Sequence, residues 1–505
     1  MADPNDPAGN GTALYDLLVV GGGINGTGIA RDAAGRGLSV LLVEKDDLAS
    51  HTSSASTKLI HGGLRYLEYY EFRLVRESLI ERERLLALAP HIIWPLRFVL
   101  PQPPGARPGW LIRLGLFLYD HIGGRRTLPG SRGVALRSTP WGAGLRDTVT
   151  RGFVYSDCWV EDARLVALNA VDAAARGATV RTRTALTAAR REGDRWIATL
   201  TGPNGTETVA ARAIANAGGP WVDRVLGAVA GAQPERPPRL VKGSHIIVRR
   251  MFDGAHAYIL QNADKRIVFA IPYERDFTLI GTTDVPWDHA SGPPAISEDE
   301  TRYLCDSVNG YFAQPITPGD VVHSYAGVRP LFDDGRDEAA AVTRDYVLRL
   351  GTEGGPQVLS IFGGKITTYR KLAEHALEKL APFLPPMRPA WTDGVPLPGG
   401  DMPGGDFDAF LAAVQTRWPF LAPDLSQRLA RAYGTRIAEV IGDATDMAGL
   451  GRHYGGGLTQ AEVDYLIARE WARTAEDILW RRSKLGLHVG PDTAAALQDH
   501  MTATV

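Results

Sequence analysis

An apolar run, a glycine-rich turn, a helix-like segment and a second apolar run follow one another near the start of the chain. The parts are residues 17–20, the G-x-G-x-x-G spacing of Gly21, Gly23 and Gly26, residues 38–43, and Glu44 directly after them. This order predicts a βαβ unit that binds a dinucleotide, because the glycines let the backbone approach a pyrophosphate and the helix N-terminus faces it. Glu44 is then placed to bind a ribose diol. An ordinary βαβ unit with a glycine-rich turn is the alternative.

Two further segments carry apolar residues at helical spacing. Residues 72–88 have charges on the opposite face and predict an amphipathic helix. Residues 110–122 are much more apolar, and the nearby basic residues are Arg107, Arg113, Arg125 and Arg126. Basic flanks with aromatic residues are typical of a helix that lies in a membrane interface. A helix buried in a large core has the same periodicity, so both interpretations stay open.

The middle of the chain alternates short strand-like runs with turns. Earlier runs are predicted at 179–184, 195–200, 207–210 and 212–219. Residues 240–350 contain several more, ending with a run at 346–350, and predict a largely antiparallel sheet. Residues 358–380 read as a strand, a Gly363-Gly364 turn and a helix, which is a second place where backbone N–H groups can bind an anion.

A stretch rich in proline and glycine, residues 386–405, separates these regions from a helical C-terminal part. We therefore expect a mobile tail at 1–13, a nucleotide-binding domain at 14–385, a linker at 386–405 and a helical domain at 406–505. The antiparallel part is expected mainly at 75–150 and 240–350, interleaved with the nucleotide-binding domain.

Length and charge narrow the class of protein. A chain of 505 residues is too long for one ordinary core, and a formal net charge of -2 argues against nucleic acid as a partner. Cys158 and Cys305 belong to no C-x-x-C pair, so a disulfide framework is not expected. The polar N-terminus does not resemble a signal peptide, and no apolar run is long enough to span a membrane. We expect a cytoplasmic protein, with attachment to a membrane surface as an open question.

Four clusters hold residues that suit chemistry on a small phosphorylated molecule. They are residues 61–66, residues 242–245, residues 327–330 followed by Arg344, and residues 363–369. A phosphate dianion needs two or more cationic side chains, because it is costly to desolvate alone. The candidates beside glycine, proline or charged turns are Arg65, Arg329, Arg344 and Lys365.

Oxidation of an alcohol also needs a base for the hydroxyl proton. His61 and His245 compete for that role, since histidine titrates near neutral pH, and spacing alone does not choose between them. The polar run 52–57 contains no nucleophile elbow and is expected to donate hydrogen bonds to cofactor phosphates. No metal-ligand spacing is present, so no metal is expected.

These motifs together resemble one known family. GGGINGTGIARDAAGRGLSVLLVE, SSASTKLIHGGLRYLE, KGSHIIV, GVRPL, ITTYRKLAEHALEKL and AEDILWRRSKLG are similar to the bacterial FAD-dependent (aerobic) sn-glycerol-3-phosphate dehydrogenases, over residues 15–487. The resemblance implies an α/β (α+β overall) fold: an FAD-binding Rossmann-like domain of the glutathione-reductase or D-amino-acid-oxidase type, an antiparallel substrate domain and a C-terminal helical domain. It implies oxidation of sn-glycerol 3-phosphate to dihydroxyacetone phosphate, with electrons passed through FAD to membrane quinone.

The same resemblance assigns roles and partners. Catalytic residues are expected at His245, Arg329 and Lys365, and substrate-binding residues at Arg65, Tyr66, Arg329 and Arg344. Cofactor-binding residues are expected at Gly21, Gly23, Asn25, Gly26, Glu44, Thr52, Ser53, Ser56, His61, Gly62, Gly63, Gly218, Gly363, Gly364, Lys365 and Thr367. The family also implies a homodimer attached peripherally to the inner face of the cytoplasmic membrane, with residues 107–126 as the contact.

Two alternatives to a quinone-linked dehydrogenase remain. A glycerol-3-phosphate oxidase shares these motifs and passes electrons to oxygen to make peroxide. A membrane-surface flavoprotein that senses or scaffolds without turnover is the other, and the full set of expected pocket residues argues against it.

Overall fold

Two large β-sheets and a helical C-terminal domain make up the described part of the chain. The computed structural model describes residues 13–103, 108–124, 127–137, 139–232, 237–332, 345–351 and 354–504. The strands are β1 Leu14–Val20, β2 Val40–Val43, β3 Leu59–Ile60, β4 Ile93–Pro101, β5 Arg132–Ala135, β6 Arg151–Val160, β7 Thr179–Arg181, β8 Ala185–Glu192, β9 Arg195–Gly202, β10 Gly205–Asn216, β11 Arg239–Arg249, β12 Ala257–Gln261, β13 Ile267–Tyr273, β14 Phe277–Gly281, β15 Val285–Pro286, β16 Val321–Leu331, β17 Val347–Leu350, β18 Val358–Phe362, β19 His453–Gly455 and β20 Leu458–Thr459. The α-helices are α1 Ile24–Gly35, α2 Phe72–Leu88, α3 Gly109–Ile122, α4 Asp162–Ala175, α5 Val222–Gly227, α6 Glu298–Asn309, α7 Tyr369–Leu380, α8 Phe407–Arg417, α9 Pro423–Tyr433, α10 Ile437–Ile441, α11 Gln460–Glu470 and α12 Pro491–Thr504.

The first sheet contains the predicted βαβ unit. Its strands lie in the order β17-β18-β10-β1-β2-β7. The pairs β18/β10, β10/β1, β1/β2 and β2/β7 are parallel, as expected when helices connect and cover the strands. Apolar residues of α1 and α7 pack against β1 and β2 in one core. The predicted strand–turn–helix–strand order at the start of the chain is confirmed.

The second sheet is mostly antiparallel, as predicted. Its order is β15-β11-β14-β13-β12-β4-β6-β3, with β16 beside β11 and β5 beside β6. Helix α6 packs on one face through Leu304 and Val308, and residues of α2 and α3 pack on the other. The sheet continues past the expected limit of residue 150, because β6 (Arg151–Val160) pairs along its length with β4.

Two strand predictions are wrong. The run at 346–350 was expected in the antiparallel sheet, but β17 pairs with β18 in the first sheet. The runs at 207–210 and 212–219 were expected as separate strands, but they form one strand, β10 (Gly205–Asn216). The Arg212 side chain at the expected break donates to Asp16 of β1 at 3.2 Å, which is how a charged residue is accommodated within the strand.

Helix α3 does not fit the buried-helix interpretation. Leu116 and Tyr119 are buried, but Trp110 is 70% exposed and Phe117 is 51% exposed. Leu111, Leu114 and Leu118 are exposed as well. No helix within the described residues is long and apolar enough to cross a bilayer. Three of the flanking arginines, Arg107, Arg125 and Arg126, lie outside the described residues.

The segment expected as a linker, 386–405, is anchored to the first domain. The Arg31 guanidinium donates to the Val395 carbonyl oxygen at 2.9 Å and also stacks over the Trp391 ring. Beyond this segment, α8–α12 and a π-helix at Asp477–Arg482 enclose a separate apolar core. Of the tail expected at 1–13, residues 1–12 lie outside the described part.

Candidate active site

In the turn between β1 and α1, the backbone of Gly21 and that of Gly26 lie too close together for a side chain. A Cβ atom on Gly26 would lie 1.9 Å from the Gly21 carbonyl oxygen, so only glycine fits there. The Gly22 N–H donates to Oε2 of Glu44 at 2.6 Å, and the Asp46 N–H donates to Oε1 at 2.8 Å. Burial raises the pKa of Glu44, while these two backbone donors favour its charged form. The carboxylate is therefore fixed at the end of β2.

This turn borders a cleft of about 180 Å³. The predicted cofactor residues that line it are Gly21, Gly23, Asn25, Glu44, Thr52, Ser53, Gly218, Gly363 and Gly364. The Asn25 amide nitrogen donates to the Gly363 carbonyl oxygen at 3.1 Å, which joins the two glycine turns. The amide oxygen Oδ1 of Asn25 is buried and has no hydrogen-bond partner among the described residues. A bare glycine backbone, a fixed carboxylate and an unpaired buried amide oxygen fit a bound FAD.

Other predicted cofactor residues lie away from the cleft wall. The Ser56 hydroxyl donates to Asp162 at 2.7 Å, so the structure directs it away from a phosphate. Thr367 is buried, and its hydroxyl oxygen accepts the His61 N–H at 3.2 Å. The Gly62 N–H donates to Tyr119 of α3 at 2.7 Å, next to the left-handed Gly63. These residues shape the turn that follows β3.

Several residues that line the cleft were missed by sequence reasoning. Thr184 and Leu186 approach it from the start of β8, and Trp221 approaches it after β10. The Lys45 ammonium lies 4.4 Å from the Trp221 ring centroid. The position of Lys45 beside Glu44 was a usable signal, but the others come from distant strands and have no local motif.

His245 lies on β11 and is enclosed on several sides. Its ring stacks on Tyr325 of β16 with centroids 4.8 Å apart, and Nε2 lies 3.0 Å from the Thr57 hydroxyl. The side chain is 2% exposed, and Nδ1 has no partner among the described residues. Burial, followed by the nearby charges of Lys58 and Arg329, lowers the pKa of His245 to about 3. The imidazole is therefore neutral at pH 7 and has a lone pair available for a proton.

His61 has a similar charge state but different neighbours. Burial, then the charges of Lys365 and Arg82, lowers the pKa of His61 to about 4. Both histidines are therefore neutral at pH 7, and their pKa values do not choose between them. The difference is geometric: the ring of His245 is 2% exposed and lies against Tyr325 and Thr57, whereas His61 is partly exposed.

The predicted cations form two groups. Arg329 belongs to the His245 side, where its guanidinium donates to Asp284 at 2.7 Å and to the Thr283 carbonyl oxygen at 2.9 Å. Lys365 belongs to the His61 side, and its ammonium lies 3.8 Å from the Tyr66 ring centroid.

The two other predicted arginines are Arg65 and Arg344. The Arg65 guanidinium lies beside Tyr69, with Nη2 3.4 Å from the Tyr69 hydroxyl, on the same short 3₁₀ turn as Tyr66. Arg344 lies outside the described residues. Of the predicted cations that the structure describes, Arg329 acts on His245 and Lys365 on His61, and Arg65 comes one residue before Tyr66.

Lys58 and Tyr325 near His245 were also missed, and Thr57, expected with the run 52–57 to donate to cofactor phosphates, contacts His245 instead. Lys58 forms a buried ion pair with Asp162, with Nζ 2.8 Å from Oδ1. Tyr325 donates its hydroxyl to the Ser56 carbonyl oxygen at 2.9 Å, and Thr57 contacts the ring of His245 itself. A lysine within a Ser/Thr run was the signal that could have indicated Lys58.

A second cavity, of about 570 Å³, lies across the 50–58 loop from the FAD cleft. Its walls come from this loop, from β16 and from the C-terminal domain, and they include Tyr325, Trp480 and Lys484. Burial, then the charge of Lys58, lowers the pKa of Lys484 to about 8. The cavity separates the loop from part of the C-terminal domain.

Two family models match the chain. One, described as FAD dependent oxidoreductase, covers residues 16–370. The other, described as the C-terminal domain of alpha-glycerophosphate oxidase, covers residues 390–503. The gap between the two matches, residues 371–389, covers most of α7 and the start of the proline- and glycine-rich stretch.

Full-length relatives agree with these matches. A D-erythritol 1-phosphate dehydrogenase of Brucella abortus is 55% identical, over 95% of this chain and 96% of its own length. A glycerol-3-phosphate dehydrogenase of Pseudomonas aeruginosa is 54% identical, over 99% of this chain and 98% of its own. A solved glycerol-3-phosphate dehydrogenase of Bacillus halodurans, complexed with FAD, is 26% identical with a TM-score of 0.74, and the match covers 97% of this chain and 94% of that one.

Proposed function

The chain belongs to the FAD-dependent glycerol-3-phosphate dehydrogenase family, and we propose that it oxidises sn-glycerol 3-phosphate to dihydroxyacetone phosphate. The observation that carries this proposal is the neutral, buried His245 with Arg329 among its nearest charges, close to the cleft that fits a dinucleotide, since Pro330, the residue after Arg329, lines that cleft. When bound, FAD supplies the acceptor for the C2 hydride at flavin N5.

Arg329 is the first residue that we assign to the substrate phosphate. The Arg329 side chain is 32% exposed, and its guanidinium is held by an ion pair with Asp284. The guanidinium can therefore contact an incoming anion without a large movement. A planar guanidinium binds two phosphate oxygens at once, which a lysine cannot do. We assign Arg65 and Arg344 to the same phosphate, and Lys365 with the Gly363-Gly364 turn to the flavin side.

His245 is the base in this proposal. The Thr57 hydroxyl at Nε2 and the stacked Tyr325 ring fix the plane of the imidazole. The neutral ring then takes the proton of the C2 hydroxyl as the hydride leaves. A nearby phosphate dianion offsets the charges of Lys58 and Arg329, so the pKa of His245 rises when substrate binds and the ring becomes a stronger base.

Two matched variants test this assignment, His245→Asn and His61→Asn. General-base catalysis contributes roughly 10²–10⁴-fold, so His245→Asn is expected to slow flavin reduction by at least about a hundredfold in a single turnover. His61→Asn is expected to change this rate only a few-fold. The assignment is wrong if His245→Asn stays within a few-fold of wild type, and the opposite result would make His61 the base.

D-erythritol 1-phosphate is a second candidate substrate, because the Brucella relative that carries that name is as similar to this chain as the glycerol-3-phosphate dehydrogenase of Pseudomonas. Both molecules present a phosphate and a secondary alcohol to Arg329 and His245. The test is kcat/KM for each with an artificial dye acceptor. We expect the larger value for sn-glycerol 3-phosphate, and a larger value for the tetritol phosphate would reassign the substrate.

Helix α3 supports our proposal that the enzyme works at a membrane and reduces quinone. Its exposed face carries Trp110, Leu114 and Phe117 beside Arg113, which is the composition of an interfacial helix. A Trp110→Ser/Leu114→Ser variant is expected to lose binding to vesicles that contain anionic phospholipid. Met447→Ser, an exposed apolar residue of the C-terminal domain, is the matched control.

The electron acceptor needs its own test. We expect substrate oxidation with a short-chain quinone to be stimulated by vesicles and to exceed the rate with oxygen. Rapid peroxide formation without lipid would instead favour the oxidase alternative. We also propose a homodimer at the inner face of the cytoplasmic membrane, on the family resemblance, and sedimentation velocity in detergent would show a monomer if that is wrong.

A further inference from the structure

The loop after the ribose-binding Glu44 is held by the C-terminal domain. Asp47 of this loop is 2% exposed and receives a two-pronged contact from Arg482, with Nη1–Oδ2 and Nη2–Oδ1 both 2.7 Å. The Arg481 Nε donates to the same carboxylate at 2.7 Å. Both arginines belong to the π-helix Asp477–Arg482, within the AEDILWRRSKLG segment, to which the proposed chemistry assigns no role.

A second set of hydrogen bonds, made by Arg183 and Thr184, holds the same loop. Arg183 donates its backbone N–H to the Asp46 carbonyl oxygen at 2.7 Å, and its guanidinium donates to Asp477 of the π-helix at 2.7 Å. The Thr184 N–H donates to the Glu44 carbonyl oxygen at 2.7 Å. The backbone on both sides of Asp46 is therefore fixed by contacts that lead to the C-terminal domain.

The arginine that holds Asp47 is itself anchored. Arg482 is 1% exposed and also donates to the Glu470 carbonyl oxygen, from Nη2 at 2.6 Å and from Nε at 3.2 Å. The Glu470 carboxylate in turn binds Arg164 of α4. The chain of contacts thus runs from the first domain to the C-terminal domain and back to the ribose loop.

Ion pairs join the loop to the C-terminal domain beside an apolar contact. Leu48 and Ala49 of the loop share an apolar core with Trp471, whereas a cavity of about 570 Å³ lies between residues 50–58 and the C-terminal residues Trp480 and Lys484. A buried arginine–carboxylate pair with satisfied hydrogen bonds has one favourable geometry, and removing a partner leaves an uncompensated charge. Such a pair can hold the loop in one shape.

We propose that Arg482, assisted by Arg481, is a positioning residue for FAD: through Asp47 it holds the loop that presents Glu44 to the ribose of the adenosine half. The C-terminal domain then governs retention of the cofactor, although none of its residues lines the FAD cleft within the described part of the chain. The inference rests on the assignment of Glu44 to the FAD ribose and does not depend on the substrate.

The test compares Arg482→Lys with Arg428→Lys in the full chain. Lysine keeps the charge but loses the two-pronged contact. Arg428 makes an equivalent pair with Glu462, at 2.7 and 2.6 Å, entirely within the C-terminal domain. Apoenzyme is titrated with FAD well below its unfolding temperature, and FAD fluorescence gives the dissociation constant. We expect at least a tenfold rise for Arg482→Lys and for Asp47→Asn, and less than a twofold rise for Arg428→Lys.

A second readout separates positioning from general loosening. ADP contains the ribose that Glu44 faces but no flavin, so the dissociation constant of ADP itself should rise by a similar factor in Arg482→Lys. The proposal is overturned if Arg482→Lys binds FAD like wild type, if Arg428→Lys weakens FAD equally, or if the dissociation constant of ADP is unchanged. If Arg482→Lys does not fold, the fallback is Arg481→Gln, which removes the Arg481 bond to Asp47 together with its bonds to Glu476 and Asp477. The dissociation constant of FAD is then expected to rise at least about threefold.

Discussion

The FAD cleft and the C-terminal domain serve the same cofactor site by opposite means. The cleft is made from backbone turns, in which Gly21, Gly26, Gly363 and Gly364 bring the chain close to where a ligand lies. The C-terminal domain lines none of that cleft within the described residues, and it acts through buried charged side chains such as Arg482.

This difference determines how each region responds to mutation and how readily its role is recognised in a sequence. A glycine turn is a local requirement of a few consecutive residues, and a substitution there should affect ligand binding first. A buried ion pair joins residues far apart in the chain, and its loss should affect folding of the joined parts first.

The largest expected change in stability comes from removing the buried ion pair between Arg164 and Glu470, which links the FAD-binding part to the C-terminal domain. Arg164→Met leaves Glu470 buried with its main partner gone, so the free energy of unfolding should fall by about 3–5 kcal/mol. Urea unfolding measures it. Arg190→Met removes an exposed pair with Glu192 and should cost less than about 1 kcal/mol. Equal losses in the two variants would show that the buried pair is not what joins the regions.

A smaller effect is expected from the glycine turn. Gly26→Ala places a Cβ against the Gly21 carbonyl oxygen, so FAD binding should weaken by at least about a hundredfold, or about 2.8 kcal/mol. Titration of apoenzyme with FAD measures it. Gly115→Ala, at a helical glycine with no atom within 4 Å of the added Cβ, is the control and should bind FAD normally. Normal binding by Gly26→Ala would mean that the turn is not the phosphate site.

Acid should lower the free energy of unfolding gradually, through four histidines between residues 61 and 256. Burial lowers the pKa of His61 and His256 to about 4 and that of His91 and His245 to about 3. The unfolded chain therefore binds more protons than the folded one below pH 6.5, and stability falls as pH falls from about 6.5 towards 4. Each histidine contributes at most about 1.4 kcal/mol per pH unit.

Urea unfolding at pH 7, 6 and 5 measures this dependence. His91→Gln should make it shallower, because it removes one of the groups that takes up a proton on unfolding. Burial raises the pKa of Glu161 to about 7, which opposes the histidines in this range, so the decisive comparison is between His91→Gln and wild type. An equal pH dependence in the two would contradict the burial of His91 as a neutral imidazole.

The sequence supported those features that depend on neighbouring residues. The βαβ unit, the helix at 72–88 and the glycine turns of the cleft each follow from a local spacing, and the structure confirms these elements. The predicted placement of residues 346–350 in the antiparallel sheet was wrong, because a short apolar run does not specify which sheet it joins, and β17 pairs with β18. Tyr325 and the Asp47–Arg482 pair were missed, and Thr57 was expected at cofactor phosphates rather than at His245, because their partners are distant in sequence.

The contrast between the two histidines shows the same limit. His61 precedes Gly62 and His245 follows Gly243 by two residues, and both imidazoles are neutral at pH 7 in the structure. Only the fold shows that Tyr325 and Thr57 hold the ring of His245 and that its Nδ1 has no partner among the described residues. A residue's charge state and its accessibility to a substrate proton depend on contacts that no local motif encodes.

The central claim is that a phosphorylated polyol reduces the flavin directly. The most direct measurement is the visible spectrum of the purified protein under anaerobic conditions, before and after addition of sn-glycerol 3-phosphate. The account predicts that the flavin absorbance band is lost on mixing, and that glycerol without the phosphate leaves it unchanged because Arg329 has no anion to bind. A flavin spectrum that sn-glycerol 3-phosphate does not change would contradict the account and leave only the fold and the cofactor.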